Sequence, residues 1–229
     1  TPTKIARIRS SAYLSQNTLF DKHHVPIDRL INPEQVVTDQ ITELLSHPGA
    51  LEVLDFADGR VQLVAMRAYL GGPLVGQALR FLSEHMPNVD TRVAAVFRRG
   101  QPIIPTGDTV IETDDEVFFI AAREHITAVM GELRKAEKPY RRVLIAGGGN
   151  IGARLAADTE NDYDVRIMEV NAERAQDLAD QLNSAVVIQG SATDRDLLLE
   201  ENIDQCDAFC AVTDDDEINV MSSLMAKRL

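Results

Sequence analysis

Residues 142–152 read Arg142-Val143-Leu144-Ile145-Ala146-Gly147-Gly148-Gly149-Asn150-Ile151-Gly152, and this stretch decides the fold. Its first five residues form a largely apolar run of strand length, and a helical pattern from Asn150 to Thr159 leaves the turn that follows. Gly147, Gly149 and Gly152 satisfy G-x-G-x-x-G between a strand and a helix, the context in which that spacing carries weight. Gly147 permits a tight turn, Gly149 lets a pyrophosphate approach the backbone, and Gly152 lets the helix pack on the strand. Where Asn150 and Ile151 open the helix, freed amide groups face the phosphates.

The next strand, Asp164-Val165-Arg166-Ile167-Met168-Glu169, ends in an acid 17 residues past Gly152 (169 − 152). A carboxylate at that strand end accepts hydrogen bonds from both ribose hydroxyls and repels a 2′-phosphate. NAD(H), ATP, ADP or AMP therefore fit better than NADP(H). Two more strand ends overlook the same crevice, because ligands of open α/β sheets collect at the carboxyl ends of strands. These are Gly190-Ser191-Ala192-Thr193, after Ala185 to Gln189, and Thr213-Asp214-Asp215-Asp216, after Ala208 to Val212. Asp214 to Glu217 suits a solvated helix start equally well. An acidic cluster beside phosphates also has the chemistry to hold Mg²⁺ or Ca²⁺, although no metal ligand set is assigned. Arg174, in the helix Glu173 to Leu182, either meets a bound phosphate or ribose or is an ordinary helix-surface cation.

Working outward, residues 140–229 alternate strand and helix throughout, which implies right-handed crossovers and a parallel sheet. Lys138-Pro139 breaks the chain before it. Residues 49–137 read as a compact α+β unit with strands Leu51 to Phe56, Val61 to Ala68, Val93 to Phe97 and Glu116 to Ala121. Its helices are expected at Pro73 to Leu82 and Glu124 to Lys135. Residues 1–48 hold a strand-like segment Lys4 to Arg9, a second at Val25 to Ile31, and a helix opened by Asn32-Pro33-Glu34. Val36, Val37, Ile41, Leu44 and Leu45 recur at helical spacing until His47-Pro48-Gly49 stops it.

Composition narrows the function. Apolar residues at 45% and charged residues at 26% suit folded domains, and 229 residues allow one large domain or two modest ones. No apolar run approaches the ~20 residues of a bilayer span, and the first ten residues lack the apolar block of a secretory signal. The net charge of −13 disfavours a general nucleic-acid partner, whose phosphates demand clustered Lys and Arg. Cys206 and Cys210 have neither zinc-knuckle spacing nor the number for a disulfide scaffold, so they read as small residues in or beside a strand in a reducing cytosol.

A dehydrogenase would need an acid/base beside the nicotinamide, such as Tyr with Lys four residues on. Tyr13, Tyr69, Tyr140 and Tyr163 are followed at that spacing by Asn17, Pro73, Leu144 and Ile167. The five histidines, at 23, 24, 47, 85 and 125, lie outside the nucleotide stretch, and His23-His24 lacks a third metal ligand.

The glycine stretch, the Glu169 strand end, Gly190-Ser191-Ala192-Thr193-Asp194, the run Ala211 to Val220 and the ending Met225-Ala226-Lys227-Arg228 together resemble the regulator-of-potassium-conductance (RCK) family. Within that family the likeness is to the TrkA-type potassium-uptake regulators. Ile31-Asn32-Pro33-Glu34 and Gly72-Pro73-Leu74-Val75-Gly76 resemble its joint and its small module, so the likeness covers essentially the whole chain. It implies an α/β fold, a Rossmann-like parallel sheet with a small α+β TrkA C-type domain, taken from the middle of a tandem protein. Residues 1–48 would close a first Rossmann-like nucleotide domain, 49–137 would be the TrkA C-terminal-type domain, and 140–229 would open a second nucleotide domain. Segments 1–48 and 140–229 are expected to complete one sheet, within one chain or between two.

The resemblance further implies a non-catalytic regulatory subunit, cytoplasmic and peripheral to the inner face of the cell membrane. It would bind NAD(H) or ATP/ADP, act on a membrane-embedded potassium transporter subunit of the TrkH type, and self-associate into dimers or a tetrameric ring. The implied site is Gly147, Gly149, Asn150, Ile151, Gly152, Glu169, Arg174, Gly190, Ser191, Ala192, Thr213 and Asp214. The family usually has Gly-Asp where this chain has Gly190-Ser191, which bears on adenine-edge recognition. An NAD-dependent oxidoreductase and a non-binding oligomerisation scaffold are the alternatives.

Overall fold

The computed structural model describes residues 3–8, 26–134 and 138–229. Tyr13, His23-His24 and the expected ends at Arg9, Val25 and Lys135 lie outside the described residues. The chain divides into two compact units, Thr1–Thr42 with Tyr140–Leu229, and Glu43–Pro139.

In the first unit, β1 (Ile5–Arg7) and β2 (Arg29–Ile31) pair in parallel as a sheet of their own. Within the chain this corrects the expectation of a single sheet shared with residues 140–229. Both strands are three residues long and mostly exposed, so they present no buried face with which to extend a larger sheet. The helix α1 (Pro33–Ser46) begins where Asn32-Pro33-Glu34 places it: the Gln35 amide donates to Asn32 Oδ1 at 3.0 Å, and Pro33 occupies the first helical position.

The second unit carries β3 (Ala50–Phe56), β4 (Val61–Arg67), α2 (Leu82–His85), β5 (Thr91–Arg98), β6 (Gln101–Ile103), β7 (Glu116–Ala122) and α3 (Ile126–Gly131). The strands form an antiparallel sheet in the order β3-β4-β7-β5-β6. Val64, Met66, Val96, Val117 and Phe119 bury its inner face against Leu74, Ile111, Ile126 and Leu133. Residues 73–82 are not the helix that their spacing predicts. A 3₁₀ turn at Leu79–Phe81 and the short α2 are the helical parts. The amides of Leu74, Gly76 and Leu79 donate instead to the carbonyls of Glu132, Ile111 and Thr109, and Gly76 sits at φ +86°. Contacts with distant segments have outcompeted local helical bonding. The expected Glu124–Lys135 helix is likewise a 3₁₀ turn, Arg123–His125, followed by α3.

The remainder of the first unit alternates β8 (Arg142–Ala146), α4 (Asn150–Thr159), β9 (Asp164–Glu169), α5 (Ala172–Gln181), β10 (Val186–Gln189), α6 (Arg195–Glu200), β11 (Ala208–Ala211) and α7 (Asp216–Arg228). All strands are parallel, in the order β10-β9-β8-β11. Val143 to Ala146 are buried together, as a parallel strand covered on both faces requires. The chain crosses from β10 back over β8 to place β11 on its far side, so a topological switch point opens at the carboxyl end of β8. Glu160, just past α4, anchors the approach to β10: its carboxylate accepts from the amides of Asn183, Ser184 and Ala185 and from the Asn183 side chain. No helix among the described residues is long and apolar enough to cross a membrane.

Candidate nucleotide site

The glycine turn caps β8 and delivers the chain into α4. Gly147 lies at φ +108°, and a Cβ there would stand 2.9 Å from the backbone nitrogen of Thr213, so two constraints exclude a side chain. At Gly152 a Cβ would lie 1.8 Å from the Gly147 carbonyl oxygen, which is the close helix–strand packing expected of the third glycine. Gly149 is different. It is the N-cap of α4 at φ −66°, and among the described residues a Cβ there meets nothing within 4 Å. Its openness is a vacancy in front of the helix start, where Asn150 and Ile151 begin the first turn and the amides lack intrahelical partners.

Gly148, which the motif leaves unspecified, is the most constrained by its partners. Its amide donates to Glu169 Oε2 at 2.8 Å, its carbonyl accepts from Arg174 Nε at 2.9 Å, and a Cβ would lie 2.4 Å from Leu178 Cδ1. Arg174 therefore stands behind the loop and orients it. Glu169 Oε1 accepts from the Asn171 amide at 2.8 Å. The acid at the end of β9 is thus fixed by two backbone donors. Each oxygen keeps a second lone pair for another donor.

Opposite the loop, Gly190 follows β10, and a Cβ on it would strike Leu197 Cδ2 at 2.2 Å. Ser191 Oγ lies 2.8 Å from Thr193 Oγ1, and Ala192 is buried. The segment after β11 is set by a residue that spacing alone did not single out. Asn219 Oδ1 accepts from both the amide and the hydroxyl of Thr213 at 2.8 Å, and its Nδ2 donates back to the Thr213 carbonyl at 3.0 Å. Asp214 is exposed, and Asp215 caps α7 by accepting from the Ile218 amide. The acidic run thus opens a helix. Among the described residues no group of three or more His, Cys, Asp and Glu is placed to hold a metal.

These pieces line an open cleft of about 390 Å³. Of the residues named from the sequence, Gly147, Gly149, Glu169, Gly190, Ser191, Ala192, Thr213 and Asp214 line it. Asn150, Ile151 and Gly152 form the helix start beneath, and Arg174 acts through Gly148 rather than from the lining. Met168, Val170 and Ile218 also line the cleft and give it an apolar wall. Val170 is 71% exposed, an outward apolar residue directly after the acid. One wall for a flat ring, a carboxylate for a diol and open amides for a diphosphate are the elements that an adenine nucleotide requires.

The cysteines take no part. Burial, with Cys206 nearby, pushes the Cys210 thiol up to about 12, and burial also raises that of Cys206 against its backbone hydrogen bonds. Both stay protonated and poorly nucleophilic at neutral pH.

Residues 143–229 match the TrkA-N domain and residues 63–134 the TrkA-C domain. The whole chain aligns at 63% identity with the Trk system potassium uptake protein TrkA of Halomonas elongata and at 55% with that of Vibrio alginolyticus. It spans about half the length of these curated relatives, 50% of each. Among solved structures, the GsuK channel superposes with a TM-score of 0.64 at 18% identity, covering 99% of this chain and 39% of that one. The GsuK channel bound to NAD gives 0.61 at 17%, with the same coverages. At that identity the likeness is one of fold.

Proposed function

The chain belongs to the TrkA family, and from that premise we propose that its cleft binds an adenine nucleotide with a free ribose 2′-hydroxyl to regulate potassium uptake. The observation that carries this reading is the pairing of an open Gly149 with a Glu169 carboxylate held at the cleft by two amides. A diphosphate would lie over Gly149 and the amides of the α4 start, and Glu169 would receive the ribose hydroxyls. NAD(H) and ATP/ADP both satisfy this chemistry. A 2′-phosphate would meet the Glu169 charge.

In this reading the chain is a non-catalytic part of a cytoplasmic subunit. Its partner is a membrane-embedded, TrkH-like potassium transporter, and its copies assemble as dimers or a ring. The nucleotide would bias that assembly by its differential affinity for two arrangements. Among the described residues the cleft lining holds no His, Cys, Tyr or Lys to serve as acid or base beside a nicotinamide, which disfavours hydride transfer. Titration calorimetry with NADH, NAD⁺, ATP, ADP and NADPH tests the proposal. Binding of at least one of the first four, with NADPH weaker than NADH, is expected. Silence from all four would overturn it and favour a scaffold without a working pocket.

A further inference from the structure

The strand order β10-β9-β8-β11 sets the direction in which a nucleotide lies across the sheet. With a diphosphate at the β8 turn and a ribose on Glu169 at the end of β9, the base extends toward the end of β10. There Gln189 pairs in register with Glu169, the Gly190 amide donates to the Glu169 carbonyl at 2.9 Å, and Ser191 follows on the cleft lining. Met168, Val170 and Ala192 line this end with apolar side chains, so the polar edge of the base is left to Ser191.

Ser191 Oγ is held from two sides. It accepts from the Thr193 amide at 3.2 Å and lies 2.8 Å from Thr193 Oγ1, a contact in which either oxygen can donate. A hydroxyl has one hydrogen and two lone pairs. If Ser191 donates to Thr193, one lone pair on its oxygen stays free to accept. If Thr193 donates to Ser191, both lone pairs are taken and the Ser191 hydrogen is free to donate. Thr193 is exposed, so water completes its bonding in either state. One oxygen in one place is thus an acceptor or a donor, depending on which way the shared hydrogen points.

We propose that Ser191 makes the cleft indifferent to the group at the purine 6-position, so that 6-oxo purine nucleotides bind about as well as 6-amino ones. The inference rests on the nucleotide reading of the cleft and adds its base selectivity. A 6-amino group presents a donor and a 6-oxo group an acceptor. Facing the first, the hydroxyl pair leaves Ser191 as acceptor; facing the second, it leaves Ser191 as donor. A site with fixed polarity rejects the wrong base because a polar group is left unpaired. The reversible pair leaves none unpaired with either base. A carboxylate in the same place could only accept, and it would repel a carbonyl oxygen. Thr193 is a positioning residue, since it acts on the base through Ser191.

Titration calorimetry on the full chain tests this with two matched pairs: NADH against reduced nicotinamide hypoxanthine dinucleotide, and ATP against ITP. The members of each pair differ only in the 6-amino or 6-oxo group and the ring hydrogen that accompanies it. In whichever pair binds, the two affinities should agree within about fivefold. Ser191→Asp should favour the 6-amino member by about tenfold or more, and Ser191→Ala should weaken both members alike, with thermal melts verifying that each variant folds. A parent chain that prefers either member by more than about fivefold would overturn the proposal and leave the nucleotide reading intact. An unchanged ratio in Ser191→Asp would do the same. Silence from all four ligands would overturn the proposal together with the reading beneath it.

Discussion

The Gly148 amide donates to Glu169 Oε2 at 2.8 Å, tying the middle of the glycine turn to the acid at the end of the neighbouring strand. The loop expected to carry the diphosphate and the side chain expected to carry the ribose therefore form one unit. Disturbing either should disturb both, whereas Gly149 stands apart.

Gly148→Ala and Gly149→Val should accordingly separate folding from binding. An alanine Cβ at 148 must push aside Leu178 and Glu169, and a cost of roughly 1–3 kcal/mol is expected, with nucleotide binding lost in parallel. Valine at 149 enters open space at an unstrained φ, so it should cost only about 1 kcal/mol through the poorer N-cap. Nucleotide affinity should nevertheless fall more than about tenfold. Calorimetric melts paired with nucleotide titrations measure both quantities. A Gly149 variant that binds like the parent would place the phosphates elsewhere.

Glu169→Ala removes the ribose acceptor and strands two amides, so affinity for the preferred nucleotide should drop by about 1–3 kcal/mol. Because the repelling charge goes too, the preference for NADH over NADPH should narrow. Glu169→Gln keeps one acceptor but turns an N–H toward the other amide, and should fall between parent and alanine in melting temperature. Competition titrations with the two dinucleotides are the check.

Asn219→Ala should loosen the segment that buttresses the glycine turn. Thr213 would lose three hydrogen bonds, and it lies so close to Gly147 that no Cβ fits between them. Faster amide exchange at residues 213–216 is expected, with nucleotide affinity several-fold weaker. Asn219→Asp, which keeps the acceptor for the Thr213 amide and hydroxyl, should be milder. Unchanged exchange in the alanine variant would contradict the clamp.

Glu160 makes stability depend on acid. Burial opposes ionisation of its carboxyl, but hydrogen bonds from Ser184, Ala185 and Asn183 outweigh that and lower it from 4.5 to about 2. A group lowered on folding contributes its stability above the unfolded value and loses it as the folded value is approached. The contribution, on the order of 3 kcal/mol, should therefore be intact above about pH 4.5 and fade toward pH 2. Glu160→Gln should be destabilised at neutral pH and show a flatter stability profile over that window. Denaturant unfolding at stepped pH would reveal a parallel slope if Glu160 were not responsible.

Much of the first unit's later half was legible because its signals are local. An apolar run, a glycine turn and a helical period lie within a few residues of one another, and the boundaries of α4 and β9 match that reading. Residues 73–82 misled for the opposite reason. Their spacing fits a helix, but carbonyls from Thr109, Ile111 and Glu132 claim the amides that a helix would use. Likewise β1 and β2 have strand character without saying which sheet they join.

By itself the sequence determined the strand–turn–helix at Gly147 to Gly152, the acid that follows it, and the alternation that makes the later sheet parallel. Each depends on steric limits and periodicity acting over a few neighbouring residues. Tertiary structure alone decided that Gly148 is the tied glycine, that Arg174 holds the loop from behind, and that Asn219 sets Thr213. Arg174 and Gly148 are 26 residues apart, and their meeting depends on where β8, β9 and the helix after β9 pack, which no spacing rule encodes.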